Sequence, residues 1–436
     1  MSKPIGIRLE DKNRWERRVP LVPEDLAKLA REKKLSFIVQ PSALRTFPDE
    51  AYVAAGAHLS EDLDEAGVIL AVKEVPIEKL LEDRAYLFFS HVIKGQDYNM
   101  PLLRALMDKN ITMIDYERIL DDAGRRLVFF GRQAGQAGMI ETFHALGRRL
   151  ESEGFETPLA EIEPAYHYED LADAKRKIAA LADAVAGGVN QGLAPLVIGF
   201  AGYGNVSQGA QEIFDLLPHE EIAAGDLEAF MDKGDALTDR LYKVVFKEEH
   251  LVEPAEGQTF ELQDYYKNPS RYRGIFHRYL PHMTAFVNCI YWTEDYPRLI
   301  TKADALRLQK SGNSRLRVIG DVSCDIDGSV EFTYKATEPD EPSFVYNAVT
   351  DSFVDGVEGE GIAVMSVDNL PCELPRDASA AFSTALKGYI SQLADTDFSR
   401  PLDELGLPPE LAGAIITHKG ELAPDYRYLE EFLKKA

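Results

Sequence analysis

Short apolar runs alternate with amphipathic helical patterns through residues 1–140, and this alternation constrains the fold more than any other feature. The runs Val68–Val72 and Tyr86–Ser90 have the length of buried strands. Pro23 predicts the start of a helix, because acids follow it where the helix dipole favours them. Strands separated by helices are typical of βαβ units and of mostly parallel sheets, so we predict the α/β fold class. Further strands are predicted at Pro4–Leu9, Leu35–Val39 and Thr112–Asp115, and further helices at Pro48–Ala55 and Met100–Lys109.

A second alternation follows two helical stretches, Ala134–Glu151 and Glu169–Val185. The run Leu196–Phe200 is continuously apolar, as expected for a central parallel strand that is buried on both faces. We therefore predict two Rossmann-like domains with parallel sheets. The other predicted parts are strands at Tyr242–Val245, Ala285–Ile290, Arg317–Gly320 and Ile362–Val367, helices at Asn205–Leu216 and Arg376–Leu393, and an irregular insertion at Gly257–Arg273.

The charge of the chain limits its partners. Among 436 residues, 48 Lys and Arg stand against 73 Asp and Glu, which gives a formal net charge of −25. So acidic a protein repels phosphate backbones and anionic headgroups, and we expect neither nucleic-acid nor membrane binding. Any anionic substrate must then be bound by a few well-placed cations.

The cysteines and the apolar runs indicate a cytoplasmic protein. No signal-peptide core and no apolar run of ~18 residues occurs. The three cysteines, Cys289, Cys324 and Cys372, lie far apart and show no metal-binding spacing. We expect neither a disulfide framework nor a metal site.

A glycine turn between a predicted strand and a predicted helix indicates a dinucleotide site. Gly202 suits the tight turn, and Gly204 lets the backbone approach a pyrophosphate that the helix N-terminus would bind. Ser207 replaces the usual third glycine, and a turn without a ligand is the simpler alternative. An acid for the ribose is expected about 20 residues on, at Glu220 or Glu221. The cofactor is therefore NADP(H) or NAD(H), with the choice open, and its expected contacts are Gly202, Tyr203, Gly204, Asn205, Val206, Ser207 and Glu220.

Cationic side chains follow two neighbouring strands of the first predicted sheet. Lys73 follows Val68–Val72, and His91 and Lys94 follow Tyr86–Ser90. Ligands of open α/β sheets bind outside the carboxyl ends of strands, so Lys73 and His91 form a candidate acid/base pair. Arg18 and Lys94 could hold carboxylates. Taken singly, an exposed lysine and a capping histidine are the plainer alternatives.

Two further segments carry unusual residues. Close small residues open the helix at Gly131–Met139, for which tight helix packing is the favoured interpretation. Acids cluster in Gly320–Ser329, which lacks the terminal glutamate of a calcium loop. We expect one of these acids to face the cofactor or a substrate amine, and solvated turn carboxylates are the alternative.

The ordered motifs resemble those of the alanine dehydrogenase/saccharopine dehydrogenase superfamily. The closer match is the lysine–ketoglutarate reductase half of aminoadipic semialdehyde synthases, over nearly the whole chain. The residues that carry the resemblance are Glu16–Pro23, Val72-Lys73, Ser90–Gln96, Ile114–Glu117, Gly135–Met139, Gly204–Gln211, Leu217–Glu220, Asn288–Trp292, Pro297–Leu299 and Ser366–Pro371.

The resemblance implies a substrate domain of residues 1–140 plus 368–436 and a Rossmann domain of residues 141–367, separated by an active-site cleft. It implies condensation of L-lysine with 2-oxoglutarate and reduction of the imine to saccharopine, or the reverse. The implied roles are acid/base catalysis for Lys73 and His91, substrate binding for Arg18, Lys94, Gln96, Glu117 and Asp325, and cofactor contact for Tyr291 and Asp321.

Two other functions stay open at this point. One is a related amino-acid dehydrogenase or an opine-forming reductase that uses a different amine. The other is a non-catalytic nucleotide sensor, which the presence of both Lys73 and His91 disfavours. The amine, the direction of the reaction, the enzyme that would oxidise saccharopine and the oligomeric state are not determined by these residues.

Overall fold

The chain divides into two compact units. A computed structural model describes residues 3–189, 192–312 and 315–434. The first unit comprises Met1–Phe130 and Pro375–Ala436, and the second comprises Gly131–Leu374. Residues 131–140 and 368–374 thus belong to the second unit. The reason is local, because Gly131 begins one continuous helix of 22 residues, and Leu370 and Leu374 belong to the same core as that helix.

The helices and strands follow the chain in this order. Residues 3–130 contain strands β1 (Ile5–Ile7), β2 (Phe37–Val39), β3 (His58–Leu59), β4 (Val68–Leu70), β5 (Ala85–Phe88) and β6 (Thr112–Asp115), and helices α1 (Pro23–Lys33), α2 (Asp49–Ala54) and α3 (Met100–Asp108). The second unit contains α4 (Gly131–Ser152), α5 (Leu171–Ala179), α6 (Ala182–Ala186), β7 (Val197–Ala201), α7 (Asn205–Phe214), β8 (His219–Glu221), α8 (Leu227–Lys233), β9 (Leu241–Phe246), α9 (Glu248–Leu251), β10 (Val252–Pro254), α10 (Leu262–Lys267), β11 (Tyr272–Gly274), β12 (Ala285–Asn288), α11 (Lys302–Lys310), β13 (Val318–Asp321), β14 (Ser343–Asn347), β15 (Ser352–Asp355) and β16 (Ile362–Met365). The C-terminal segment contains α12 (Pro375–Asp395), α13 (Pro409–Ala412), β17 (Ile415–His418), β18 (Glu421–Leu422) and α14 (Glu430–Leu433).

The sheet of the first unit has the strand order β18-β17-β6-β5-β4-β1-β2-β3. Strands β1 to β6 pair in parallel, and β17 joins β6 antiparallel. All residues of β1, β4, β5 and β6 are buried, which explains the apolar character of β1, β4 and β5 and of the centre of β6. The carboxyl ends of these four strands consequently lie side by side.

The large sheet of the second unit has the order β15-β14-β16-β13-β12-β7-β9-β8. Its parallel part runs from β16 to β8, with β7 between β12 and β9, and β14 and β15 extend it antiparallel. Strand β8 pairs only with β9, so it forms the far edge of the sheet. This order puts β9, and not β8, next to the strand that leads into the glycine turn.

Two segments differ from the sequence-based expectations. Gly257–Arg273 was expected to be irregular, yet it holds α10 and the start of β11, which pairs antiparallel with β10. The single helix expected over Glu169–Val185 is two helices, because the Leu181 N–H bonds to the Ile178 carbonyl and tightens the turn between them. Within the described ranges, the helices lack the combination of length and apolar character that crossing a bilayer requires.

Two buried carboxyl groups meet in the second unit. Glu141 of α4 is fully buried and Glu373 is 2% exposed. Glu141 Oε1 accepts the Ala165 N–H at 2.6 Å, whereas Glu141 Oε2 and both carboxyl oxygens of Glu373 have no hydrogen-bond partner among the described residues. Burial raises the pKa of both groups, and the charge of Glu141 raises that of Glu373 further. Burial without hydrogen bonds disfavours the charged form of a carboxyl group, so this site favours a neutral Glu373.

This pair predicts a pH-dependent stability. Folding raises both pKa values, so the stabilisation is complete below the unfolded pKa and is lost as the pH rises through the folded values. Glu373→Gln removes one of the two titrating groups and keeps a neutral side chain of similar size. We expect the melting temperature of the wild type to fall from pH 6 to pH 9 by more than that of Glu373→Gln, with a difference in the free energy of unfolding of about 1–3 kcal/mol at pH 9. The exposed Glu358 gives the control Glu358→Gln, and parallel profiles of wild type and Glu373→Gln would contradict a raised pKa of Glu373.

Candidate functional site

Lys73 and His91 follow neighbouring parallel strands at equivalent places. Lys73 lies three residues beyond Leu70 at the end of β4, and His91 lies three residues beyond Phe88 at the end of β5. Strands β4 and β5 pair in register. The segment after β4 reaches the segment after β5 directly, because His91 Nδ1 lies 2.6 Å from Glu74 Oε1.

The backbone of His91 is held in a conformation that is uncommon for residues other than glycine. Its φ is +55°, in the left-handed region. The ring stacks beside Phe89, with centroids 6.3 Å apart, and the backbone carbonyl accepts a 3.3 Å hydrogen bond from Asn99 Nδ2. Such strain persists where the surroundings fix it, and it is frequent at functional sites.

Glu74 fixes the histidine ring electrostatically. Burial alone would raise the pKa of Glu74, but the hydrogen bond from His91 and the charges of His91 and Lys12 lower it to about 2. The carboxylate is therefore ionised at all physiological pH values. It holds Nδ1 as a donor and leaves Nε2 of His91 to exchange protons with a substrate. Sequence reasoning did not select Glu74, although its position directly after Lys73 was a usable signal.

The Lys73 ammonium lies in surroundings that favour loss of its proton. Its pKa is lowered, first by burial and then by the positive charges of Arg18 and Lys12, against the opposing effect of Glu16 and Glu74. A lysine with a lowered pKa can act as an acid and as a base near neutral pH. Lys73 and His91 are both half-buried, and together they form a candidate acid/base pair of the first unit.

Arg18 is engaged inside the protein. It is 2% exposed, and its Nε and Nη2 atoms donate to the two oxygens of Glu16 at 2.8 and 2.5 Å. Its guanidinium also lies over the Phe130 ring, 4.3 Å from the centroid. The planar fork that was expected to hold a substrate carboxylate binds Glu16 in this structure, and substrate binding by Arg18 stays a prediction.

The other residues expected to bind substrate lie around the ends of β5 and β6. Lys94 and Gln96 are exposed, and Gln96 accepts a 2.9 Å hydrogen bond from the Tyr98 hydroxyl. Glu117 is buried and forms an ion pair with Arg126. Of this set, Lys94 offers an exposed cation to an anionic substrate.

The glycine turn of the second unit has the geometry of an anion site. Gly202 has φ +86°, which only glycine adopts readily, and its tight turn connects β7 to α7. At Gly204, the residue before α7, an added Cβ would meet no atom within 4 Å. This open backbone at a helix N-terminus fits a pyrophosphate. Around it, Tyr203 and Asn205 are exposed, Val206 is half-buried, and the buried Ser207 accepts a 2.9 Å hydrogen bond from Gln211.

The small residues of Gly131–Met139 serve close packing, which confirms the favoured interpretation. A Cβ on Gly135 would overlap the Val206 carbonyl, and a Cβ on Gly209 would overlap the Arg132 carbonyl. The backbones of α4 and α7 are therefore in direct contact, and this contact holds the helix that begins directly after the glycine turn.

Beside the turn lies a cavity of about 430 Å³ with aromatic walls. It is lined by the glycine turn, by Glu248 after β9 and by residues after β12, among them Tyr291 and Trp292. Tyr291 is 85% exposed, so its ring can move against a ligand. Flat aromatic walls and one acid suit a nucleoside.

Glu220 does not lie where a ribose acid is expected. It belongs to the edge strand β8, is exposed and forms a 3.3 Å ion pair with Arg240, while Glu221 pairs with Lys243 at 3.4 Å. Strand β9 is the neighbour of β7, and the acid that follows it is Glu248. Glu248 accepts hydrogen bonds from the hydroxyls of Tyr266 at 2.5 Å and Tyr203 at 3.5 Å. The spacing rule selects β8, whereas the strand order places β9 beside β7, so Glu220 stays a prediction and Glu248 is a second candidate.

The acids after β13 differ in exposure. Asp321 is fully buried and accepts from Asn288, Ser323 and Thr333 at 2.8, 2.7 and 2.6 Å. Burial raises its pKa against these bonds. Its carboxylate therefore links the end of β13 to the end of β12 through Asn288, and to the turn that follows β13 through Ser323. Asp325 is exposed on that turn.

Comparison with known proteins gives a consistent set of relatives. The family models "Alanine dehydrogenase/PNT, N-terminal domain" and "Alanine dehydrogenase/PNT, C-terminal domain" match residues 6–137 and 289–425. Alpha-aminoadipic semialdehyde synthase of Arabidopsis thaliana is 38% identical over 99% of this chain and 41% of its own length. The mitochondrial synthase of Mus musculus is 36% identical over 98% of this chain and 48% of its own. The chain thus spans less than half the length of these relatives.

Shorter relatives and solved structures extend the comparison. Saccharopine dehydrogenase [NAD(+), L-lysine-forming] of Emericella nidulans is 27% identical over 92% of this chain and 94% of its own. A solved L-alanine dehydrogenase is 19% identical, covers 99% of both chains and has a TM-score of 0.64. A transhydrogenase from Sinorhizobium meliloti is 16% identical, with a TM-score of 0.57 over 97% of this chain and 100% of its own. These structures establish the fold, which confirms the predicted α/β class.

The space at Gly204 predicts a selective loss of nucleotide binding. In Gly204→Ala the methyl group enters open space at an ordinary φ of −77°, so the fold should be unaffected. The methyl group would occupy the place of a phosphate, and we expect binding of NADH and NADPH to weaken about tenfold or more, or by about 1.4 kcal/mol. Fluorescence titration measures this change, and Gly225→Ala, also in open space, is the control. An unchanged affinity for NADH and NADPH in Gly204→Ala would show that the phosphate does not bind at Gly204.

Proposed function

Because the chain belongs to the alanine dehydrogenase/saccharopine dehydrogenase superfamily, we propose that it is an NAD(P)-dependent oxidoreductase that forms or cleaves saccharopine. In the forming direction it condenses the ε-amine of L-lysine with the keto group of 2-oxoglutarate and reduces the resulting imine. The single observation that carries the proposal is the Lys73, Glu74 and His91 arrangement at the ends of β4 and β5. Cys289, Cys324 and Cys372 form no disulfide bond within the described residues, which suits a reducing compartment, and we propose the cytoplasm.

The acid/base centre fits the proton transfers of imine formation. The lysine amine attacks only after losing a proton, and the Nε2 atom of His91 can accept it while Glu74 holds Nδ1. The carbinolamine then loses its hydroxyl as water, for which the Lys73 ammonium can supply a proton. One lysine with a lowered pKa and one oriented histidine can thus carry out both proton transfers. The exposed Lys94 can bind a carboxylate of 2-oxoglutarate.

The residues of the second unit fit a nicotinamide dinucleotide. The bound cofactor would supply the hydride that reduces the imine carbon. The backbone at Gly202 and Gly204 would hold its pyrophosphate, and Glu248 would accept the ribose hydroxyls. An acid at this place repels a 2′-phosphate, so we propose that NADH is preferred over NADPH.

Steady-state assays test the substrates and the cofactor together. With L-lysine and 2-oxoglutarate we expect oxidation of NADH, with a kcat/KM higher than that for NADPH. In Glu248→Gln this preference should shrink, because the negative charge against the phosphate is lost. Replacing lysine by ornithine, or by ammonium with pyruvate, separates the proposal from an opine-forming reductase and from an alanine dehydrogenase. No oxidation with lysine by folded protein would refute the lysine assignment.

Variants of the acid/base pair connect the activity to this site. Lys73→Met and His91→Gln should each lower turnover by about 10²-fold or more with cofactor affinity nearly unchanged. The exposed Lys79 and His58 provide the matched controls Lys79→Met and His58→Gln. If both site variants keep full turnover, neither residue takes part in the reaction.

A further inference from the structure

A buried carboxylate binds the backbone that carries Lys73. Glu10 lies three residues beyond the end of β1, the strand that pairs with β4, and it is 7% exposed. Its Oε1 accepts the N–H of Val72 at 2.6 Å, and its Oε2 accepts the N–H of Lys73 at 3.0 Å. Both oxygens are therefore used on the segment just after β4.

The surroundings of Glu10 make the charged form of this carboxyl group energetically unfavourable. Burial and the charge of Glu16 raise its pKa to about 7, against the lowering effect of the two N–H bonds and of Arg8. Arg8 itself donates to Asp11 at 2.6 Å, and the charge of Glu10 adds to the effect of burial in raising the pKa of Tyr116. A buried charge without a closely paired cation is destabilising, so its presence beside Lys73 points to a role in the site.

The proton affinity of Lys73 depends on where its backbone lies. The ammonium feels two cations, Arg18 and Lys12, and two carboxylates, Glu16 and Glu74. Interaction energies between such charges change steeply over an ångström in surroundings of low dielectric constant. A group that holds the segment after β4 in place therefore also maintains the balance of charges that lowers the pKa of Lys73.

We infer that Glu10 is a positioning residue for Lys73, whose carboxylate holds the Val72 and Lys73 amides and thereby keeps the Lys73 ammonium in its working place. A protonated Glu10 accepts these bonds more weakly, since hydrogen bonds to a charged acceptor are about twice as strong as neutral ones. The groups that act on this equilibrium are Glu16, Arg8 and Tyr116. The inference rests on the proposed function in one respect, the assignment of acid/base work to Lys73.

The direct test measures Lys73 without any turnover. Reductive methylation with formaldehyde and cyanoborohydride modifies only unprotonated amines, and peptide mass spectrometry follows Lys73 and, as an internal reference, the exposed Lys79. In the wild type Lys73 should be modified at lower pH than Lys79. In Glu10→Gln, where one amide acceptor is lost, the midpoint for Lys73 should rise by about one pH unit or more. Asp397→Asn removes a carboxylate that accepts the Ser399 N–H at 3.1 Å in an exposed loop, and it should leave the midpoint unchanged.

The pH profile gives the second readout. For the wild type kcat/KM should fall as the pH drops through about 7, where Glu10 gains its proton. Glu10→Gln should be flat in this range with a lowered kcat, and Glu10→Asp should restore part of the carboxylate effect. If Glu10→Gln does not fold by circular dichroism, Glu10→Asp takes its place in both measurements. An unchanged Lys73 midpoint in a folded Glu10 variant would overturn the inference, whereas absence of lysine turnover in the wild type would refute only the proposed function.

Discussion

Buried carboxylates that accept backbone N–H groups at the ends of parallel strands are the interaction on which the site of the first unit depends. Glu10 holds the segment that follows β4, and Asp115 accepts the N–H groups of Ser90 at 3.0 Å and of Glu117 at 2.8 Å. Lys73 and His91 are thereby placed by groups that are themselves fixed. Burial raises the pKa of Glu10 and Asp115, which shows the electrostatic cost of the arrangement.

The second unit also places a buried acid at the end of a strand, but the donors of its hydrogen bonds to Asn288, Ser323 and Thr333 are side chains and not backbone N–H groups. Asp321 is the last residue of β13, and its bonds to Asn288 and Thr333 join the end of β12 to the loop beyond β13. The segment after β12 contains Tyr291, which lines the cavity beside the glycine turn. In both units a buried acid therefore holds the chain where a strand ends, and the candidate ligand-binding residues lie just beyond it.

The central strands, and the placement of Lys73 and His91 after two neighbouring strands, could be predicted because both depend on local patterns. Buried strands such as β5 and β7 are continuously apolar, and the rule that ligands bind at carboxyl ends selects Lys73 and His91. Edge strands such as β8 and β15, with exposed residues, carry no such signal. Glu10 was missed because a single sequence does not distinguish a buried acid from the many exposed ones of an acidic chain, whereas Glu74 was missed although it directly follows Lys73. Glu248 required the strand order, which depends on long-range pairing.

The fate of the transferred hydride tests most directly whether Lys73 and His91 serve the joining of lysine and 2-oxoglutarate. The protein would be incubated with L-lysine, 2-oxoglutarate and reduced cofactor deuterated at the transferred position, and the products analysed by mass spectrometry. We expect one deuterium in saccharopine, at the carbon that was the keto carbon of 2-oxoglutarate, with its rate of formation lowered by about 10²-fold or more in His91→Gln. Deuterium in glutamate when ammonium is supplied, and none in any product of lysine, would contradict it.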